Sequence, residues 1–141
     1  MKAIGLDVGE KRIGIAKSDG LNITAQGVGV IYMKNKREKT FQAIKEIIET
    51  EKADVLVVGF PKNLNGTIGP QVKKVQDFVA ELQDLVDIDV EYFDERLTTV
   101  SARRALLEGD VSRKKRKMVI DELAAVIILQ SWMDFKKGSR D

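Results

Sequence analysis

Val55-Leu56-Val57-Val58 is a continuous apolar run, and it follows a segment in which Phe41, Ile44, Ile47 and Ile48 recur at helical spacing. A strand with no polar alternation is one covered on both faces. A helix leading into such a strand suggests a parallel crossover, which places the chain among α/β folds with layers on both sides of a sheet. Upstream, Lys2 to Leu6 and Arg12 to Ala16 read as short strands joined by a glycine-containing turn, and Ser18-Asp19-Gly20 signals a second reversal into Ile23 to Met33. Downstream, Gly69-Pro70 opens a helix with the stripe Val72, Val75, Phe78, Val79 and Leu82, and Val90 to Phe93 forms a fifth strand. Thr98 or Thr99 caps a short helix carrying Val100, Leu106 and Leu107 that stops near Gly109, and a last helix runs from about Lys117 to Phe135. The predicted order is β-β-β-α-β-α-β-α-α in a single domain over residues 1–141, with no repeat or linker and a frayed tail from Lys136.

The chain has 141 residues, enough for one hydrophobic core, and contains neither histidine nor cysteine. That removes the usual general base, the thiolate nucleophile, the zinc-thiolate site and every Ser-His or Cys-His pair. Carboxylates, lysines, hydroxyls and backbone are left, and a hard, oxygen-loving cation is their natural helper. Met1-Lys2-Ala3-Ile4 enters a strand without the layout of a secretory signal. The longest apolar run, Leu123 to Leu129, is far short of the roughly 20 residues of a spanning helix. A cytoplasmic protein with no membrane association is expected. Charge is segregated: from Arg96 to Lys117 eight bases face two acids, a net +6 in a chain of net +2, which leaves −4 elsewhere. Such a patch suits a polyanion, although a solvated basic face has the same composition.

Three acids sit in unusual places. Asp7 stands where Ala3-Ile4-Gly5-Leu6 runs into the turn Val8-Gly9-Glu10-Lys11; it is either a turn-former or a metal ligand. Gly5, Gly9 and Gly14 suggest exposed backbone that a phosphate can approach, and Lys11 and Arg12 add positive charge. Asp94-Glu95 ends the fifth strand, where alternation places Asp94 in phase with Val90 and Tyr92, and Glu95 with Glu91 and Phe93. Periodicity alone leaves open which of the two points inward. Asp121 shares a helix face with Ala124, Ala125 and Ile128, so its carboxylate is directed at packed structure and needs a partner or a cation.

The segments Gly5-Leu6-Asp7-Val8-Gly9-Glu10-Lys11-Arg12-Ile13-Gly14-Ile15-Ala16, Val58-Gly59-Phe60-Pro61 with Asn65-Gly66-Thr67, Asp94-Glu95-Arg96-Leu97-Thr98-Thr99, and Ser112-Arg113-Lys114-Lys115 followed by Ile120-Asp121-Glu122-Leu123-Ala124-Ala125 closely resemble the YqgF/RuvX family. These bacterial proteins are described as pre-16S rRNA nucleases and as Holliday-junction-resolvase-like. The resemblance covers almost the whole chain. It implies a ribonuclease-H-like fold: a mixed five-stranded sheet of order 3-2-1-4-5, strand 2 antiparallel, with helices on both faces. It also implies an acidic centre at Asp7, Glu95 and Asp121 that holds Mg2+, with Mn2+ as substitute, and a substrate path lined by Lys11, Arg12, Arg96, Arg113, Lys114, Lys115, Arg116 and Lys117. In the junction resolvases the second carboxylate ends the fourth strand. Here that strand ends Val57-Val58-Gly59-Phe60-Pro61 with no acid, and Glu95 from the neighbouring strand has to stand in.

The implied chemistry is phosphodiester hydrolysis with two hard cations about 4 Å apart. The expected partner is precursor 16S rRNA or the ribosomal particle, with branched DNA as the alternative, bound by a monomer or a homodimer. The loop Asn63 to Thr67 is either a cover for substrate or a plain surface connection. Two rival classes are an ATPase of the actin and Hsp70 type, which also follows an apolar strand with Asp7 and glycines, and a nucleic-acid-binding module without catalysis. The first requires a second lobe and a second phosphate loop that this chain lacks.

Overall fold

The computed structural model describes residues 1–21, 23–33, 37–60, 69–97 and 113–138; the side chains of Arg96, of residues 113–119 and of Gly138 lie outside that description. The expected Asn63 to Thr67 loop and the short helix around Val100 to Gly109 also fall outside it. The described elements are β1 (Ala3–Val8), β2 (Arg12–Ser18), β3 (Ala25–Tyr32), α1 (Arg37–Glu51), β4 (Val55–Phe60), α2 (Pro70–Leu85), β5 (Asp89–Asp94), one 3-10 turn (Glu95–Leu97) and α3 (Arg113–Gly138). Elements match the expected order, with strands generally longer than the apolar runs that announced them. Asp7 therefore lies inside β1, not in the turn that follows it.

The sheet runs β3-β2-β1-β4-β5. β1 pairs antiparallel with β2 and parallel with β4, and β4 pairs parallel with β5. β4 is thus interior, and Val55 to Val58 are all buried, as an unbroken apolar run requires. Strand alternation sorts each strand into two sets. Ile4, Leu6, Ile13, Ile15, Leu56 and Val58 pack with α1 and α2 through Phe41, Ile44, Val75, Phe78, Val79 and Leu82. Ala3, Ala16, Val55, Val57 and Phe93 pack with α3 through Ala124, Ala125, Ile128, Leu129 and Trp132. The stripe of α2 is buried at all five of its expected positions. No side chain caps its start at Gly69; Pro70 supplies the preset first turn instead.

α3 reaches the sheet where the strands carry small residues. A Cβ built on Gly5 lies 2.8 Å from the Cβ of Leu129 and 3.2 Å from the Ala125 carbonyl, and one built on Gly14 overlaps the backbone carbonyl of Asp121. Those two glycines are therefore covered by a helix, which corrects the expectation that they leave backbone open to a phosphate. Gly9 serves a turn: its N–H donates to the Arg12 carbonyl at 2.9 Å, and an added Cβ comes within 2.8 Å of that same oxygen. Gln130 of α3 ties down the start of β3, accepting from Ala25 N at 2.8 Å and donating to the Ile23 carbonyl at 3.1 Å.

Candidate active site

The close approach of α3 decides where the acids lie. Ala3 and Gly5 face α3, so by alternation Asp7 does too, and its partner across the antiparallel pair is Gly14. Gly14 in turn lies under the Asp121 backbone, which brings Asp7 and Asp121 to one neighbourhood from strand and helix. Both are half-buried.

On β5 the same logic resolves the adjacent acids. Phe93 packs in the α3 cluster, and Glu91 accepts from Trp132 Nε1 at 3.4 Å and from Lys136 Nζ at 3.1 Å, so the odd-numbered residues of β5 face α3. Val90 packs on the opposite side, and Tyr92 is paired there with Phe60 at 5.1 Å between ring centroids. Asp94 continues that even-numbered set at the end of β5. Glu95 follows Phe93 to the α3 side: a Cβ on Gly59 would lie 3.2 Å from Glu95 Oε1, 3.3 Å from its Cγ and 2.6 Å from Ile128 Cδ1. The residue missing a side chain at the end of β4 therefore leaves room for the carboxylate arriving from β5.

Arg12 makes a contact that the sequence did not announce. Its Nε donates to Asp121 Oδ2 at 2.6 Å in a partly buried ion pair. Spacing offered no signal for this contact, since the two residues are 109 positions apart. Lys11 is exposed at the turn, and its carbonyl accepts from Met33 N at 2.9 Å. The backbone of Arg113 to Lys117 forms the first turns of α3, the helix that carries Asp121. Arg96 lies in the 3-10 turn after Glu95.

Among the described residues no three Asp or Glu side chains are already drawn close enough together to hold a metal ion. The donor chemistry nevertheless suits one. Asp7, Glu95 and Asp121 share the α3 side of neighbouring elements, offer oxygen alone, and include a carboxylate that already holds a cationic group at hydrogen-bond distance.

A cleft of about 550 Å³ lies apart from these acids, on the α1 and α2 side, and is lined by Val8, Gly9, Arg37, Lys74 and Phe78 among others. Its two cations are paired within the chain: Lys74 with Glu10 at 3.2 Å and Arg37 with Glu81 at 2.9 Å. Arg37 also lies over the rings of Phe41 and Phe78. Among the described residues no helix is long and apolar enough to cross a membrane.

Comparison with known proteins follows the same lines. The family described as RuvX, Holliday junction resolvase, matches residues 1–135. A protein of Clostridioides difficile named "Putative pre-16S rRNA nuclease" is 53% identical over 138 residues, covering 98% of this chain and 97% of its own. One of the same name from Carboxydothermus hydrogenoformans is 47% identical over 136 residues, covering 96% and 98%. Among solved structures, Thermus thermophilus RuvC in complex with a Holliday junction substrate superposes with a TM-score of 0.63 at 13% identity, covering 99% of this chain and 97% of that one. A second Thermus thermophilus RuvC structure gives 0.57 at 14% identity, covering 98% and 97%. At those identities the likeness is one of fold, and with the strand order it makes this a ribonuclease-H-like domain.

Proposed function

This chain belongs to the RuvX family, and from that premise we propose that it is a divalent-metal-dependent nuclease that hydrolyses phosphodiester bonds in the 5′-end maturation of precursor 16S rRNA. The observation that carries the reading is the placement of Asp7, Glu95 and Asp121 on one side of the sheet, with Gly59 clearing the space beside Glu95. Relatives at 47% and 53% identity bearing the name of a pre-16S rRNA nuclease support the choice of RNA over branched DNA.

Asp7, Glu95 and Asp121 are the residues that would hold Mg2+, or Mn2+ in its place. When bound, such a cation supplies Lewis-acid activation of water and neutralises charge gathering on the phosphate oxygens. The protein's own part is positioning. Asp7 is fixed by central strand β1, and Asp121 by a helix backbone that cannot come closer to Gly14. Lys11, Arg96 and the Arg113 to Lys117 turns supply positive charge along which the phosphate backbone lies, binding that is salt-sensitive and blind to base sequence. In the reaction the water oxygen bonds to phosphorus and the bond from phosphorus to O3′ breaks. The departing O3′ takes a proton, leaving 3′-hydroxyl and 5′-phosphate ends. The protein acts in the cytoplasm on a ribosomal particle or its RNA.

The test is magnesium-dependent cleavage of a precursor 16S 5′ end beside a four-way DNA junction, with Asp7→Asn as control. The expected result is cleavage of the RNA alone, lowered about a thousandfold or more in the variant. A folded Asp7→Asn protein that cleaves at the wild-type rate, or RNA binding with no cleavage at any magnesium concentration, would contradict the reading.

A further inference from the structure

We propose that Arg12 is a positioning residue that keeps the place of the cation: it holds Asp121 through its Nε, and metal loading requires that guanidinium to turn away. The proposal rests on the metal-dependent reading above and concerns how the same site is filled.

Four observations carry it. The Arg12 Nε to Asp121 Oδ2 distance is 2.6 Å, short for a charge-assisted N–H···O bond. The side chains are only 25% and 18% exposed, so the pair is poorly screened by solvent and salt. Arg12 and Gly14 lie on the same side of β2, and Gly14 already touches the Asp121 backbone, so the helix cannot move closer to the sheet there. Turning the Arg12 side chain is the change that needs no closer approach of the helix. Finally, among the described residues no three carboxylates stand at ligating distance in the arrangement in which Arg12 holds Asp121.

A divalent cation at the same carboxylate and a guanidinium beside it repel each other strongly where the surroundings are partly dehydrated. The two are therefore negatively coupled, and coupling is reciprocal: metal weakens the hold of Arg12 on Asp121 as much as Arg12 weakens metal binding. A phosphate entering the site offers the guanidinium a second anionic partner suited to its geometry. Substrate then draws Arg12 off Asp121 and raises metal affinity, so that the site fills most readily when substrate is there to be cut.

Two measurements on the full chain test this. In Mn2+ titrations followed by electron paramagnetic resonance without RNA, Arg12→Gln should bind Mn2+ about fivefold or more tighter than wild type. Lys45→Gln, which removes the same charge from an exposed position of α1, should stay within about twofold. In the unaltered protein, the Arg12 Nε–H resonance should leave its hydrogen-bonded position as Mg2+ is added, a readout that stands even if Arg12→Gln folds poorly. Mn2+ affinity in a folded Arg12→Gln no higher than wild type, or an Arg12 resonance unmoved at saturating Mg2+, would overturn the role of Arg12. If Asp7→Asn still lowers Mn2+ binding in that case, the metal reading survives. Failure of wild type and Arg12→Gln alike to bind Mn2+ would overturn both.

Discussion

The two faces of the sheet are made by alternate residues of the same strands, yet they are built for different ends. Toward α1 and α2, β1 and β2 present Ile4, Leu6, Ile13 and Ile15, large side chains that fill the space between layers. Toward α3 the same strands present Ala3, Gly5, Asp7, Arg12, Gly14 and Ala16. The first face is a packed core in which volume decides stability. On the second, small residues bring a helix so near that the Asp121 backbone lies over Gly14, the cross-strand partner of Asp7. Burying large apolar groups and gathering charged ones compete for the same area, and strand alternation lets one sheet do both.

Substitutions on the two faces should consequently separate activity from stability. The largest effect is expected from Glu95→Gln, which should lower cleavage about a thousandfold, or ~4 kcal/mol of barrier. Its neighbour Asp94→Asn, on the other side of the strand end, should change the rate by less than about threefold. Steady-state cleavage with both variants checks this, and equal losses would erase the distinction between the faces at β5. Next comes Leu6→Ala, which should cost about 3 kcal/mol in urea unfolding while leaving the rate per folded molecule unaltered. Gly14→Ala tests the boundary: its methyl group collides with the Asp121 backbone, so both properties should suffer, with about 2 kcal/mol lost on unfolding and cleavage reduced with it. A stable, fully active Gly14→Ala protein would show that close approach of α3 is not what sets the site.

The smallest effect lies at the margin of the structural face. Glu51 accepts from Lys17 Nζ at 2.7 Å, and that hydrogen bond, reinforced by the lysine's charge, holds its carboxyl below the usual carboxylate range. A carboxyl acid strengthened by folding stabilises the protein above its ordinary titration range, and that contribution disappears as pH falls through the lowered value. Glu51→Gln should therefore cost about 0.5 kcal/mol at pH 7 and progressively less as pH falls below the ordinary carboxylate range, read by denaturant unfolding across that range.

Much of the scaffold was legible before any coordinates. Helical spacing identified the α2 stripe residue by residue, and the unbroken Val55 to Val58 run correctly announced a strand covered on both sides. Sheet order was accessible only through the family resemblance, because periodicity says which residues share a face and not which strands are neighbours. For the same reason Asp94 and Glu95 could not be separated until Trp132, from another element, fixed the facing of Glu91. The glycines were misread because a residue without a side chain looks alike whether helix or phosphate fills the gap. The Arg12 contact with Asp121 had no local sign at all.

The central claim is that the α3 face alone holds the cation. Carboxyl 13C resonances followed during a Mg2+ titration test it most directly, since each acid reports for itself. The carboxyl carbons of Asp7, Glu95 and Asp121 should shift together with one binding curve, while those of Asp94, Glu10 and Asp77 stay still. Movement of Asp94 in place of Glu95, or of Glu10 and Asp77 in the opposite cleft while Asp7 and Asp121 remain unmoved, would contradict it.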